Sequence, residues 1–467
     1  MNHLRTSALH AVLAAALGVG CSSSNGSPAP PAPPPMDASP QAHGLAKLNH
    51  LVVIVLENWS FDSLYGEFKG ADGLPSSVSS PQIDSTGAPY AALPQVESYL
   101  PPDLPNAPFA LDSYLDVGGR TTVDLTTKFY QEQAQIHGGK MDRFVSVSSA
   151  KGLTMGYFHT SDLPLAAEAA AYTLCDHFHH AAFGGSFLNH MWLVAAATPV
   201  FPNAPTAMQA VLDANGYPVA DPKTGTLQDG PITPDGYAVN TVYSVNSPHP
   251  ATTPAANLLP KQTMPTVGDR LSEKGIDWAW YAGGWDDAVA GHSDPKVAFQ
   301  YHHHPFAYFA NYADGTPGRA AHLKDETVFM AAAKAGTLPA VSYVKPVGID
   351  NEHPMYADVI TGELHVLDLI KAVRNGPQWN DTAILVIYDE NGGFWDHVAP
   401  PGGDRWGPGT RIPALVISPF ARRGFVDHTG YDTTSVLALI EHRWGIKPLG
   451  TRDAAVADLT AAFDFGP

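Results

Sequence analysis

Two uncharged apolar runs constrain what this chain can fold into. One is Thr382-Ala383-Ile384-Leu385-Val386-Ile387, and the other is Leu51-Val52-Val53-Ile54-Val55-Leu56. A strand with one wet face alternates apolar and polar residues. A run without alternation is buried on both faces, as the central strands of a parallel sheet are. Both runs empty into polar residues at their carboxyl ends. The later one delivers Tyr388-Asp389-Glu390-Asn391-Gly392-Gly393-Phe394-Trp395-Asp396-His397, and the earlier one Glu57-Asn58-Trp59-Ser60-Phe61-Asp62. In open α/β sheets, chemistry sits outside the carboxyl ends of the strands. Acids, an amide and an imidazole gathered there suit a divalent metal or a phosphate ester. Taken singly, each strand end could equally be a solvated turn or a helix cap. Two of the same design describe a site.

The rest of the chain supports an α/β class. The pattern predicts a helix over 266–274 stopped by Gly275, a strand over 276–281, a helix over 320–335 and a strand over 338–344. A helix over 362–374, a strand over 412–417 and a closing helix over 433–444 complete the alternation, which indicates a parallel sheet with helical crossovers. A further helix is expected over 163–177, with Cys175 as a buried, inert thiol. Residues 70–153 and 198–261 are rich in Pro, Gly, Ser and Asn and read as insertions, the first with a short helix near 125–137. With 42 Pro and 42 Gly but only 15% charged residues, the composition is that of a turn-rich globular protein. Residues 46–467 are expected to form one catalytic domain.

At the amino terminus, Arg5 precedes an apolar stretch too short to span a bilayer, which reads as a signal peptide over residues 1–20. Cys21 follows directly and stands where bacterial lipoproteins carry their acylated cysteine. Residues 21–45 read as an extended linker. The expectation is an exported protein: periplasmic, secreted, or a surface lipoprotein touching the membrane through Cys21. A net charge of −19 argues against nucleic acid as a partner.

Three further stretches carry chemistry. Gly184-Gly185 ahead of Ser186, at the start of an apolar helical segment, brings backbone close to a ligand and offers a hydroxyl with amide donors. Tyr301-His302-His303-His304-Pro305-Phe306 places adjacent imidazoles in a loop, and the loop after the 338–344 strand carries Asp350 and His353. Histidines so placed can bind metal or phosphate, or simply lie on the surface.

Taken together, these residues resemble the bacterial phosphoesterase family that contains phospholipases C and acid phosphatases. Glu57-Asn58-x-Ser60-Phe61-Asp62-x-x-x-Gly66 is similar to its first signature. Asp389-Glu390-x-Gly392-x-x-x-Asp396-His397-Val398-x-Pro400-Pro401 is similar to its last. The resemblance implies an alkaline-phosphatase-like α/β fold, with a mainly parallel sheet between helical layers. It implies one divalent ion held by Glu57, Asn58, Ser186, Asp389 and Glu390, with Ser186 as the nucleophile. Oxygen ligands suit Ca, Mg or Mn, and the histidines leave Zn open. His303, His304 and His353 would bind the phosphoryl group or protonate the leaving group. Asn189, Asp396 and His397 would orient those groups from behind. The phospholipase branch carries Thr-x-x-Asn-Arg where this chain has Ser186-Phe187-Leu188-Asn189-His190. That departure favours the acid-phosphatase branch, acting on small phosphate esters. The alternatives are a phospholipase C acting on phospholipid head groups and an inactive lipoprotein that binds phosphorylated ligands. Trp59, where the first signature more often has Arg, is expected to alter how the substrate edge is held.

Overall fold

The computed structural model describes residues 44–74, 81–115 and 121–466, so the signal segment and Cys21 lie outside the described residues. The central sheet comprises β1 (His50–Leu56), β2 (Thr173–Cys175), β3 (Trp278–Ala282), β4 (Leu323–Asp325), β5 (Val341–Lys345), β6 (Thr382–Tyr388), β7 (Ala414–Ile417) and β8 (Phe425–Asp427). Their order across the sheet is β8-β2-β7-β6-β1-β5-β3-β4. All neighbouring pairs are parallel except those made by β7, which runs against both β6 and β2. The flanking helices that matter here are α1 (Phe129–Ile136), α2 (Ser186–Ala195), α3 (Val267–Glu273), α4 (Glu326–Ala335), α5 (Val359–Arg374) and α6 (Thr434–Trp444). The fold is the mixed α/β class expected from the sequence.

The two founding runs lie side by side at the centre. β6 is buried at every position and β1 at all but its first. Each Val, Leu or Ile taken fully out of water contributes about 1.5–3 kcal/mol, so the middle of the sheet is a rigid base for what projects from its ends. Among the described residues, no helix is long and apolar enough to cross a membrane.

Three local expectations are corrected. Residues 163–177 do not form one helix: Ala166–Ala171 is helical, and Thr173–Cys175 is β2, hydrogen-bonded between β7 and β8. Cys175 is buried as expected, but on a strand; pairing in the sheet overrides an Ala-rich local preference. Residues 320–335 are interrupted by β4, whose Asp325 accepts from Thr327 N at 3.0 Å and caps α4. The 412–417 run is a strand, but antiparallel, because apolarity on both faces carries no information about direction.

Candidate active site

Register builds the centre of the site. Leu56 pairs with Tyr388 in the parallel β1–β6 ladder, so Glu57 and Asn58 leave the sheet beside Asp389 and Glu390. Asn58 N donates to Asp389 Oδ1 at 3.1 Å, and Asn58 Nδ2 donates to Glu390 Oε1 at 2.9 Å. Asn58 adopts a left-handed backbone, φ 63°. Such a conformation in a non-glycine residue persists only where the surroundings enforce it. One enforcing neighbour is Gly392, where a Cβ would stand 1.9 Å from Asn58 O. The glycine of this turn is therefore a close-approach requirement.

Ser186 arrives from the opposite side, at the first residue of α2. The helix is capped by Gly185, and the Ser186 hydroxyl does not cap it. Instead, Ser186 Oγ donates to Glu57 Oε2 at 3.0 Å. The loop that delivers it is pinned from below. Gly184, at φ 89°, leaves room for Phe129 N, which a Cβ would approach to 2.6 Å. Gly184 N donates to Glu132 Oε2 at 2.5 Å, and His180 Nε2 lies 2.9 Å from Glu132 Oε1. Asn189 accepts from Ala182 N and donates to the carbonyls of Ala182 and Gly184, tying the loop to its own helix.

The cluster is buried and carries more acid than base. Glu57 Oε1 is bonded to Lys345 Nζ and lies 3.2 Å from His303 Nδ1. Burial followed by the charge of Glu57 pushes Asp389 up to about 8. Burial also raises Glu390, with the charge of Asp389 adding to it, and raises Glu57 against the pull of Lys345. Burial holds His190 and His303 well below the ordinary imidazole range. The donor set fits a hard divalent cation. Asn58 Oδ1 and Asp389 Oδ2 are buried with no hydrogen-bond partner, and ligand atoms of Glu57, His190 and Asp389 lie within 4.8 Å of one another. An uncompensated buried carboxylate is costly, and a cation removes that cost.

Above this floor opens a cleft of about 470 Å³, with Ser186, His302, His353, Tyr356, Asp124 and Asp229 on its walls. Both insertions reach it, Asp124 from the first and Asp229 from the second. His353 stacks on Tyr356 with ring centroids 4.4 Å apart. Burial, then the neighbouring His353 and Lys345, push His302 down to about 3. The three consecutive histidines thus part company: His302 faces the cleft, His303 touches Glu57, and His304 packs 3.9 Å from the Trp285 ring. Tyr301–His303 forms a 3₁₀ turn, in which successive side chains point about 120° apart. Sequence order could not say which one looks inward. Trp59 is buried and stacked on Phe394 at 4.3 Å, behind the site rather than at a substrate edge.

Asp396 and His397 belong to a different cluster. Arg411, fully buried, gives Nε to Asp396 Oδ1 at 2.9 Å and Nη2 to Asp62 Oδ1 at 3.1 Å. His397 Nδ1 lies 2.8 Å from Asp62 Oδ2. These contacts lace the loop after Asn58 to the loop after Glu390, so they position the site without entering it. Lys345, Glu132 and Arg411 were not singled out from sequence, and His190 and His302 appeared only inside longer motifs, with no role of their own. Only Lys345 left a usable signal, as the one charge ending an otherwise apolar strand.

A phosphoesterase family model matches residues 48–447. The chain belongs to the phosphoesterase family. Phosphate-ester hydrolysis is the chemistry that this membership carries. The phosphoesterase is 26% identical to "Non-hemolytic phospholipase C" of Pseudomonas aeruginosa, over 91% of this chain and 58% of that protein. It is 26% identical to "Phospholipase C A" of Mycobacterium tuberculosis, over 92% of this chain and 79% of that one. The chain thus spans little more than half the length of the Pseudomonas relative. A likeness to a solved member of the alkaline phosphatase superfamily from Vibrio parahaemolyticus, at TM-score 0.34 and 13% identity over 66% of this chain and 65% of that one, is too slight to rest anything on. The relatives favour the phospholipase C reading over the acid-phosphatase reading that the Ser186 segment suggested.

Proposed function

We propose that this phosphoesterase is a phospholipase C-type hydrolase that transfers the phosphorylated head group of a phosphodiester to Ser186 and then to water. The observation that carries the reading is the 3.0 Å hydrogen bond from Ser186 Oγ to Glu57, inside a buried acid cluster at the floor of an open cleft. Glu57 Oε2 fixes the hydroxyl hydrogen, which leaves the serine lone pairs free for phosphorus. Ser186 gives up its proton as the Oγ–P bond forms and the P–O bond to the glycerol oxygen breaks, and that oxygen takes up the proton and leaves as the alcohol. His302 and His353, on the cleft wall, are the groups placed to donate to the phosphoryl oxygens and the leaving oxygen. Water then breaks the seryl ester and restores the hydroxyl. Glu57, Asn58, Asp389 and Glu390, with Ser186, would hold one divalent ion. Bound there, it would draw charge from the serine oxygen and the phosphoryl group. Export, through residues 1–20 and Cys21, belongs to the same proposal.

One observation favours a second reading, an acid phosphatase. His190 stands where the phospholipase branch has Arg, and its Nδ1 lies 2.8 Å from the Ser186 carbonyl, so no guanidinium enters the cleft from this position. Parallel assays of p-nitrophenylphosphorylcholine and p-nitrophenyl phosphate decide between them. The proposal expects kcat/KM to favour the diester at least tenfold. A preference for the monoester would move the protein to the second reading. Vanadate binding without turnover of either substrate would instead mark an inactive binding protein.

A further inference from the structure

Lys345 is the last residue of β5, a strand buried at all five positions. A lysine so placed needs partners, because an unpaired ammonium away from water is strongly disfavoured. Its partners are specific. Nζ donates to Val55 O at 3.1 Å, across the β5–β1 boundary, and to Glu57 Oε1, the oxygen that Ser186 does not use. The chain has therefore placed a cation at the carboxyl end of its sheet, against the carboxylate that holds the nucleophile. The charges around it are uneven. Glu57, Asp389 and Glu390 are all buried, and Lys345 is bonded to Glu57. His190 and His303 are the imidazoles nearest Glu57, with ring nitrogens 3.9 Å and 3.2 Å from Oε1. Lys345 thus takes one Glu57 oxygen and Ser186 the other, while Asp389 Oδ2 is left without a hydrogen-bond partner.

We propose that Lys345 is a built-in cation of the site: it takes up the Glu57 oxygen that a second metal ion would need, so limits the acid cluster to one divalent ion, and holds Glu57 in position for Ser186. The inference rests on the metal-binding reading given above. It makes Lys345 a positioning residue that acts through Glu57. It also separates a charge role from a purely structural one, because the two predict opposite signs. A fixed ammonium beside the ion repels it, so neutralising Lys345 should tighten metal binding while slowing turnover. If Lys345 only satisfied a buried carboxylate, its loss would loosen Glu57 and weaken metal binding.

The test is calorimetric titration of chelator-stripped full-length protein with Mn²⁺ and, separately, Ca²⁺. It is run at pH 8.5, where protons compete least for the carboxylates, with thermal unfolding of each variant as the folding check. Wild type should saturate at one equivalent per chain. Lys345→Met should bind the first equivalent at least tenfold more tightly while kcat falls at least a hundredfold, and Lys345→Arg should keep the wild-type affinity within about threefold. Saturation of wild type at two equivalents would overturn the inference and leave the metal reading standing. Weaker or unchanged affinity in a folded Lys345→Met would do the same. No binding of either ion to wild type would overturn both. If Lys345→Met does not fold, the wild-type stoichiometry and the Lys345→Arg affinity still decide.

Discussion

Two groups of buried acids sit a few residues apart in sequence and behave differently. Asp62 and Asp396 share the guanidinium of Arg411, and every contact draws loop to loop. Of Glu57, Asp389 and Glu390, Glu57 is bonded to the Lys345 ammonium, and two of the oxygens in their cluster, Asn58 Oδ1 and Asp389 Oδ2, have no hydrogen-bond partner. The ligand atoms of Asp62, Asp396 and His397 also approach within metal-binding distance, yet there the chain supplies a fork of donors that fills the space. Spacing alone does not make a metal site. What separates the two is whether the protein's own cations close the charge.

Three substitutions sharpen that contrast, from the largest effect to the smallest. Ser186→Ala should lower kcat on the order of 10⁴-fold or more, as loss of a covalent nucleophile does, while the melting temperature stays close to wild type. Substantial turnover in the variant would break the account at its centre. Arg411→Met should cost about 3–5 kcal/mol of stability by denaturant unfolding, because it strands two buried carboxylates. An unchanged midpoint would mean that the self-neutralised cluster is not the brace described here.

Asp389→Asn should do the reverse in the metal-free protein, because it removes an uncompensated charge and keeps an oxygen for Asn58 N and Glu390 N. The folded value of Asp389, about 8, lies above the ordinary value of roughly 3.9, so the native state holds its proton longer than the unfolded chain. Stability of the wild-type apoprotein therefore falls as pH rises between those two values. The variant escapes that loss, and its advantage should grow from pH 4 to pH 8 in paired thermal melts. A gap that is flat with pH would contradict the charge argument.

The comparison also shows what could be read from sequence. The two central strands, and the acids at their ends, were legible because an unbroken apolar run admits few other interpretations. Their meeting with Ser186 followed from the motifs together, although Glu57 and Ser186 are far apart in the chain. The partners that set the charge balance were not legible. Arg411 precedes β7 in a loop with no local mark, and Glu132 lies on a short helix within an irregular insertion. The orientation of His302, His303 and His304 depends on a turn whose angles are set by packing against Trp285 and Trp280. Direction was equally hidden at β7, where both faces are apolar.

The central claim is that Ser186 carries the phosphoryl group between substrate and water. It is tested most directly by mixing the protein with p-nitrophenylphosphorylcholine, quenching in acid within milliseconds, and mapping the adduct by peptide mass spectrometry. The account predicts phosphorylcholine on the peptide that contains Ser186, rising and decaying with turnover and absent in Ser186→Ala. A turning-over enzyme with no adduct at any quench time, or with the adduct on another residue, would contradict it.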